Sequence, residues 1–256
     1  MIRLFLIAAL LSGAAVSAGE IPAREWRSDY QQMSPELRRM QDDDGSNPGM
    51  LSVLDGEALW HSKVGTAAKS CADCHGAAVA SMKGVAARYP ALDKSLGRPV
   101  DLDGRINLCR TRHQGVAALV FESKELLALT AYVARQSKGL PIAVADDAAT
   151  HRFIDTGRAI FERRQGQLNL SCAQCHDDNW GRSLAGATIP QAHPTGYPLY
   201  RLEWQSLGSL QRRLRNCLVG MRAEPFAYGA PEITELELFL AWRARGLTVE
   251  TPAVRP

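Results

Sequence analysis

Two Cys-x-x-Cys-His runs, Cys71-Ala-Asp-Cys74-His75 and Cys172-Ala-Gln-Cys175-His176, lie 101 positions apart in this chain. In such a run each cysteine can add to a vinyl group of a porphyrin, and the next histidine is placed to ligate the iron from the proximal side. Competing readings fit less well. A zinc site needs two Cys pairs about 15–20 residues apart or a paired-His partner, and a thioredoxin-like pair has no use for the histidine. Two covalently attached c-type haems, held through Cys71 and Cys74 and through Cys172 and Cys175, are therefore expected, with His75 and His176 as iron ligands.

The first 18 residues carry Arg3, an apolar run from Leu4 to Leu11 and a Val16-Ser17-Ala18 cleavage pattern, which reads as a signal peptide cut after Ala18. Ser12, Gly13 and Ser17 interrupt the run before it reaches the length of a membrane span. A periplasmic protein with no membrane span after cleavage is expected. The remaining roughly 238 residues suit two compact domains of about 100 residues each. A net charge of +3 argues against general polyanion binding, so no nucleic-acid partner is expected.

The similarity between the halves extends beyond the motifs. Asp55-Gly-Glu-Ala-Leu-Trp60 and Thr156-Gly-Arg-Ala-Ile-Phe161 stand at the same distance ahead of their cysteines. Further on, Tyr89-Pro90 matches Tyr197-Pro198, and Arg105-x3-Cys109 matches Arg213-x3-Cys217, now at an offset of 108. Each half closes with apolar residues at helical spacing, over 125–136 and 234–243, expected to form amphipathic helices stopped by Gly139 and Gly246. This order resembles the small class I cytochrome c domain. The resemblance implies a mainly α fold of two tandem class I cytochrome c-like domains related by duplication, with terminal helices crossing beside the haem. The expected division is an N-terminal arm over 19–47, a first domain over 48–140, a linker over 141–150 and a second, catalytic domain over 151–256.

For the distal iron ligands, Met82, Cys109 and His113 follow the first motif, and His193, Cys217 and Met221 the second. Only Cys109 and Cys217 keep their identity across the duplication. A disulfide or a pair of buried thiols is the plain alternative, and ligation by His113 and Met221 is another. Thiolate ligation is favoured by position and by Arg105 and Arg213, each four residues before its cysteine, since a nearby guanidinium stabilises a thiolate. A thiolate-ligated haem sits at low potential, which draws attention to chemistry at the sulfur itself.

With both motifs, Ile106-Asn-Leu-Cys109-Arg-Thr and the run from Arg213 through Cys217 to Phe226, the chain resembles SoxA, the dihaem subunit of the SoxAX complex of bacterial sulfur oxidation. The resemblance implies L-cysteine S-thiosulfotransferase activity: thiosulfate is joined oxidatively to a cysteine of a SoxYZ carrier, and electrons pass to a monohaem SoxX partner and on to a soluble cytochrome c. It also implies His75 and Cys109 as ligands of the first iron and His176 and Cys217 of the second, Cys217 as the catalytic sulfur able to carry a persulfide, and Arg213 as the active-site arginine. The residues agree with that role. Between Arg152 and Arg222 the chain has ten arginines, no lysine and five carboxylates, and a dianion's oxygens suit planar guanidinium donors. Arg215 and Arg222 read equally well as a solvated face or a pair with Glu224. The alternative function is a periplasmic dihaem electron-transfer cytochrome without substrate chemistry; a dihaem peroxidase would need an open iron position, against which the paired cysteines argue.

Overall fold

The computed structural model describes residues 21–256; the leader and its cleavage point lie outside them. Helix α1 (Pro35–Asp42) belongs to the arm. The first unit follows with α2 (Gly49–His61), α3 (Cys71–His75), α4 (Ala78–Ser81), the hairpin β1 (Ala91–Asp93) and β2 (Arg98–Val100), α5 (Leu102–Cys109) and α6 (Lys124–Arg135). The second repeats it with α7 (Ala148–Glu162), α8 (Cys172–His176), an extra hairpin β3 (Ser183–Leu184) and β4 (Ala187–Thr188), then β5 (Leu199–Arg201), β6 (Ser206–Gly208), α9 (Leu210–Gly220) and α10 (Pro231–Arg243). A final strand β7 (Val254–Arg255) joins β5 in parallel. The protein is mainly α, with the duplicated architecture read from the sequence.

Local chemistry explains the matching elements. Ser70 and Ser171 each open a motif helix with a capping box, closed by Asp73 and Gln174, which satisfies backbone donors at the helix start. Asp101 and Ser209 cap α5 and α9 at equivalent places. Gly139 and Gly246 have φ of 82° and 84°, the left-handed stop expected after each terminal helix.

Each core is a crossing of the unit's first and last long helices, α2 with α6 and α7 with α10. The glycines of the repeated hexapeptides sit at the crossings. A Cβ on Gly56 would lie 2.1 Å from the Ala128 carbonyl oxygen, and one on Gly157 2.1 Å from that of Glu235. The terminal helices differ from the amphipathic expectation: α6 is buried without a break from Leu126 to Ala134, and α10 from Ile233 to Arg243 except Glu235. The two cores interpenetrate, Leu207 and Tyr200 packing into the first and Ala87 into the second, so faces that would meet solvent in an isolated unit meet the other unit.

The segment expected as a linker is tied down over its first half. Ile142 N–H donates to Leu247 O and Ala143 N–H to Ala87 O, both at 2.8 Å, and Ile142 and Val144 are buried. The arm wraps the second unit, with Arg27 N–H donating to Gln191 Oε1 at 2.8 Å and Asn47 Nδ2 to Pro252 O at 2.9 Å. Among the described residues no helix is long and apolar enough to cross a membrane.

Candidate functional site

The two motif helices hold their histidines differently. In the second unit His176 Nδ1 lies 2.7 Å from Pro190 O. A carbonyl only accepts, so Nδ1 carries the proton and the lone pair is left on Nε2, the tautomer a metal-bound imidazole needs. Burial, followed by the Arg213 and Arg243 charges, outweighs that hydrogen bond and pushes His176 down to about 4, which keeps it neutral. Pro190 comes from the stretch containing β3 and β4, which accounts for the growth of the repeat offset from 101 to 108. Behind it Arg243 pairs with Asp177, both almost wholly buried, and Arg243 Nε donates to Gln191 O. His75 is exposed; its ring lies 5.7 Å from Trp60, whose Nε1 donates to Gly76 O. Phe161 stands at Trp60's place beside His176, at 6.4 Å.

All six cysteines are unpaired, so Cys109 and Cys217 form no disulfide with each other. Each faces the motif of its own unit. Cys217 acts on both Cys172 and Cys175, and burial together with those neighbours pushes the Cys172 thiol up to about 12. Cys109 is coupled in the same way to Cys71 and Cys74. Among the described residues no three His, Cys, Asp or Glu side chains are arranged to hold a bare metal ion, whereas a porphyrin iron asks for only two axial ligands from the protein. The donor set fits haem.

Met82 and Met221 are buried, Met82 in the first core. His113 is exposed on the turn after α5, and His193 is buried on the proximal side, close to His176, with Nδ1 2.7 Å from Arg27 O.

The two arginines diverge. Arg105 is engaged, with Nη2 2.8 Å from Asp93 Oδ2 and Nε 3.1 Å from the Tyr89 hydroxyl. Burial outweighs Arg105 and Arg112 and raises the Cys109 thiol. Arg213 is half-buried and, among the described residues, has no carboxylate within 4.0 Å and no side-chain hydrogen bond. Burial alone would lower its guanidinium; Cys217 and Tyr197 reverse this and hold it protonated. Arg215 stacks on Tyr228 at 4.5 Å and bonds the Phe226 carbonyl, which is packing. Arg222 is exposed and makes no pair with Glu224. Pro190, Asp177 and Arg201 were not singled out by the sequence, and Tyr197 was noted only as part of the repeated Tyr-Pro pair; the change of repeat offset was the available signal for Pro190.

The model of the SoxA/TsdA cytochrome c domain matches residues 55–142 and 156–249, one copy over each unit, and a cytochrome c domain implies covalently bound haem. The chain is 36% identical to the L-cysteine S-thiosulfotransferase subunit SoxA of Pseudaminobacter salicylatoxidans, over 96% of this chain and 86% of that protein. It is also 36% identical to the same subunit from Rhodovulum sulfidophilum, over 95% and 93%. The crystal structure of SoxXA from P. pantotrophus superposes with a TM-score of 0.86 at 31% identity, covering 90% of this chain and 86% of that one. With both copies of the domain in place and identity sustained along nearly the whole length, the chain belongs to the SoxA/TsdA cytochrome c family, among its SoxA proteins.

Proposed function

We propose that this chain is the dihaem catalytic subunit of a periplasmic L-cysteine S-thiosulfotransferase. His75 and Cys109 hold one iron and His176 and Cys217 the other, with thioether attachment at Cys71, Cys74, Cys172 and Cys175. Bound haem supplies a one-electron acceptor of low potential. Arg213 takes the sulfonate oxygens of thiosulfate by paired N–H donors, placing the sulfane sulfur against the Cys217 sulfur, where a persulfide is also accommodated. The Pro190 carbonyl holds the His176 proton at Nδ1, which leaves the Nε2 lone pair for the iron. The overall change joins a carrier cysteine thiolate to the thiosulfate sulfane sulfur, forming one S–S bond with loss of two electrons. These leave to a SoxX-like monohaem cytochrome and then to a soluble cytochrome c; the carrier is SoxYZ-like. The SoxXA complex of P. pantotrophus supports such a partner, and the relatives' shared activity supports the reaction class.

The observation that carries this reading is an arginine without an acidic partner, one helical turn from a cysteine that faces a Cys-x-x-Cys-His motif. The test is Cys217→Met in the holoprotein with its partner. Thiosulfate-dependent turnover with the carrier is expected to fall to background, and oxidised wild type is expected to show two low-spin thiolate-type EPR signals, one of them lost in Cys217→Ala. Intact turnover in Cys217→Met would sink the proposal.

A further inference from the structure

The duplication supplies an internal control for the anion site. Hairpins β1–β2 and β5–β6 share one register: Asp93 pairs with Arg98 in the first and Arg201 with Ser206 in the second, so Arg201 occupies the place of Asp93. Tyr89 and Tyr197, Arg105 and Arg213, and Cys109 and Cys217 correspond around it. In the first unit Asp93 is 5% exposed and held rigidly, accepting from the Ser95 hydroxyl at 2.6 Å and from the backbone of Ser95 and Leu96 at 2.9 Å each. It faces Arg105 at 2.8 Å and Arg112 at 3.8 Å. A buried carboxylate at that distance neutralises Arg105 and repels an incoming anion. In the second unit the carboxylate is gone and a cation stands in its place. Arg201 Nε is paired with the exposed Glu203 at 2.9 Å, while Arg213 is left open. Both Arg213 and Arg201 act electrostatically on the buried Tyr197 hydroxyl, and Arg201 also lies over the Trp204 ring at 5.5 Å.

We infer that position 201 selects which unit binds a sulfur oxyanion: arginine there, in place of Asp93, keeps Arg213 unpaired and adds a second guanidinium to the recognition of a small divalent oxyanion with a sulfonate end. The inference rests on the function proposed above and makes Arg201 a positioning and specificity-determining residue. Its chemistry is electrostatic. A carboxylate at 201 would rebuild the first unit's lock on Arg213, and a neutral residue there would only remove the auxiliary charge.

The test is Arg201→Asp beside Arg201→Gln and Arg213→Ala in the holoprotein with partner and carrier. Arg201→Asp is expected to raise the thiosulfate KM at least tenfold and Arg201→Gln less than fivefold. In the Arg201→Asp/Arg213→Ala double variant the aspartate is expected to add no more than the Arg201→Gln loss to that of Arg213→Ala, because the rest of its effect acts through that arginine. A KM within threefold of wild type for Arg201→Asp, or losses that multiply in the double variant, overturns the inference. Unchanged turnover in Arg213→Ala would instead overturn the proposed function. Should Arg201→Asp not fold, Asp93→Ser tests the same logic from the other side. Releasing Arg105 is expected to raise radiolabelled thiosulfate bound at equilibrium from one to two per chain, and a count that stays at one refutes the selector.

Discussion

Replacing Gly56 or Gly157 by alanine should push apart the helix crossing on which each haem domain is built. The added methyl would stand 2.1 Å from a backbone carbonyl oxygen in both cases, and 2.7 Å from the Cβ of Tyr132 or Phe239. Neither obstacle is the movable end of a side chain, so the helices themselves must separate by roughly 1 Å, a gap that forfeits a quarter to a half of the dispersion attraction across it. Overpacking of this kind costs about 1–3 kcal/mol, here at the upper end. The gain in helix propensity from glycine to alanine returns at most about 1 kcal/mol. The net loss of about 2 kcal/mol corresponds to a fall in melting temperature of roughly 8–16 °C for a domain of this size. Thermal unfolding of the holoprotein followed by far-UV circular dichroism reads it. Gly220→Ala is the matched control, since nothing lies within 4 Å of its added Cβ. If Gly56→Ala and Gly157→Ala melted with that control, within about 2 °C of wild type, the close crossing would not be what organises the cores.

Three further outcomes are expected. Arg243→Met leaves Asp177 buried without its partner and should cost the second domain about 3–5 kcal/mol in a denaturant titration; a loss under about 1 kcal/mol would show the pair to be dispensable. Burial raises Asp103 to about 8 and Glu237 above the carboxylate range, while Asp101 is raised as well and Glu122 adds to the repulsion. Groups whose folded pKa exceeds the unfolded value stabilise below the unfolded pKa and lose that contribution as pH climbs through the folded one, so the melting temperature should fall between pH 6 and 9, and Asp103→Asn/Glu237→Gln should flatten the slope. Arg213→Lys, which keeps charge but loses the planar fork, should lower kcat/KM for thiosulfate by about 10–100-fold; full activity would mean that charge alone suffices.

The parts of the molecule governed by short-range pattern were legible in the sequence. The motif helices, the repeat and the positive-φ stops at Gly139 and Gly246 all follow from fixed spacings. The buried terminal helices were misjudged as amphipathic because periodicity reports a helix's own polar face and not the second domain lying on it. Glu237 shows the cost: its polar character places it on a surface, yet it accepts from Gln211 Nε2 at 3.1 Å inside the interface. The Pro190 carbonyl was invisible for a different reason, since any residue's backbone can accept a hydrogen bond and only the fold says which one does. Arg201 was passed over because an arginine among ten carries no signal until the hairpin register sets it opposite the role of Asp93.

The interface between the domains follows the same rule of substitution at matched positions. The Gly56 and Gly157 contacts place Ala128 opposite Glu235 in the repeat, which makes Thr130 the counterpart of Glu237, while the capped helices make Asp103 the counterpart of Gln211. Thr130 donates to Asp103, and Gln211 donates to Glu237 and, at 2.8 Å, to Asp101. The first unit thus contributes two acids and the second one, and each acid has a neutral donor, Thr130 for Asp103 and Gln211 for both Asp101 and Glu237. Asp101 is the acid reached across the seam, and leaving any of these buried groups without its donor would cost about 1–3 kcal/mol. Divergence at a matched position thus serves the packing of the two units: Gln211, standing where the first unit has Asp103, bridges an acid of each.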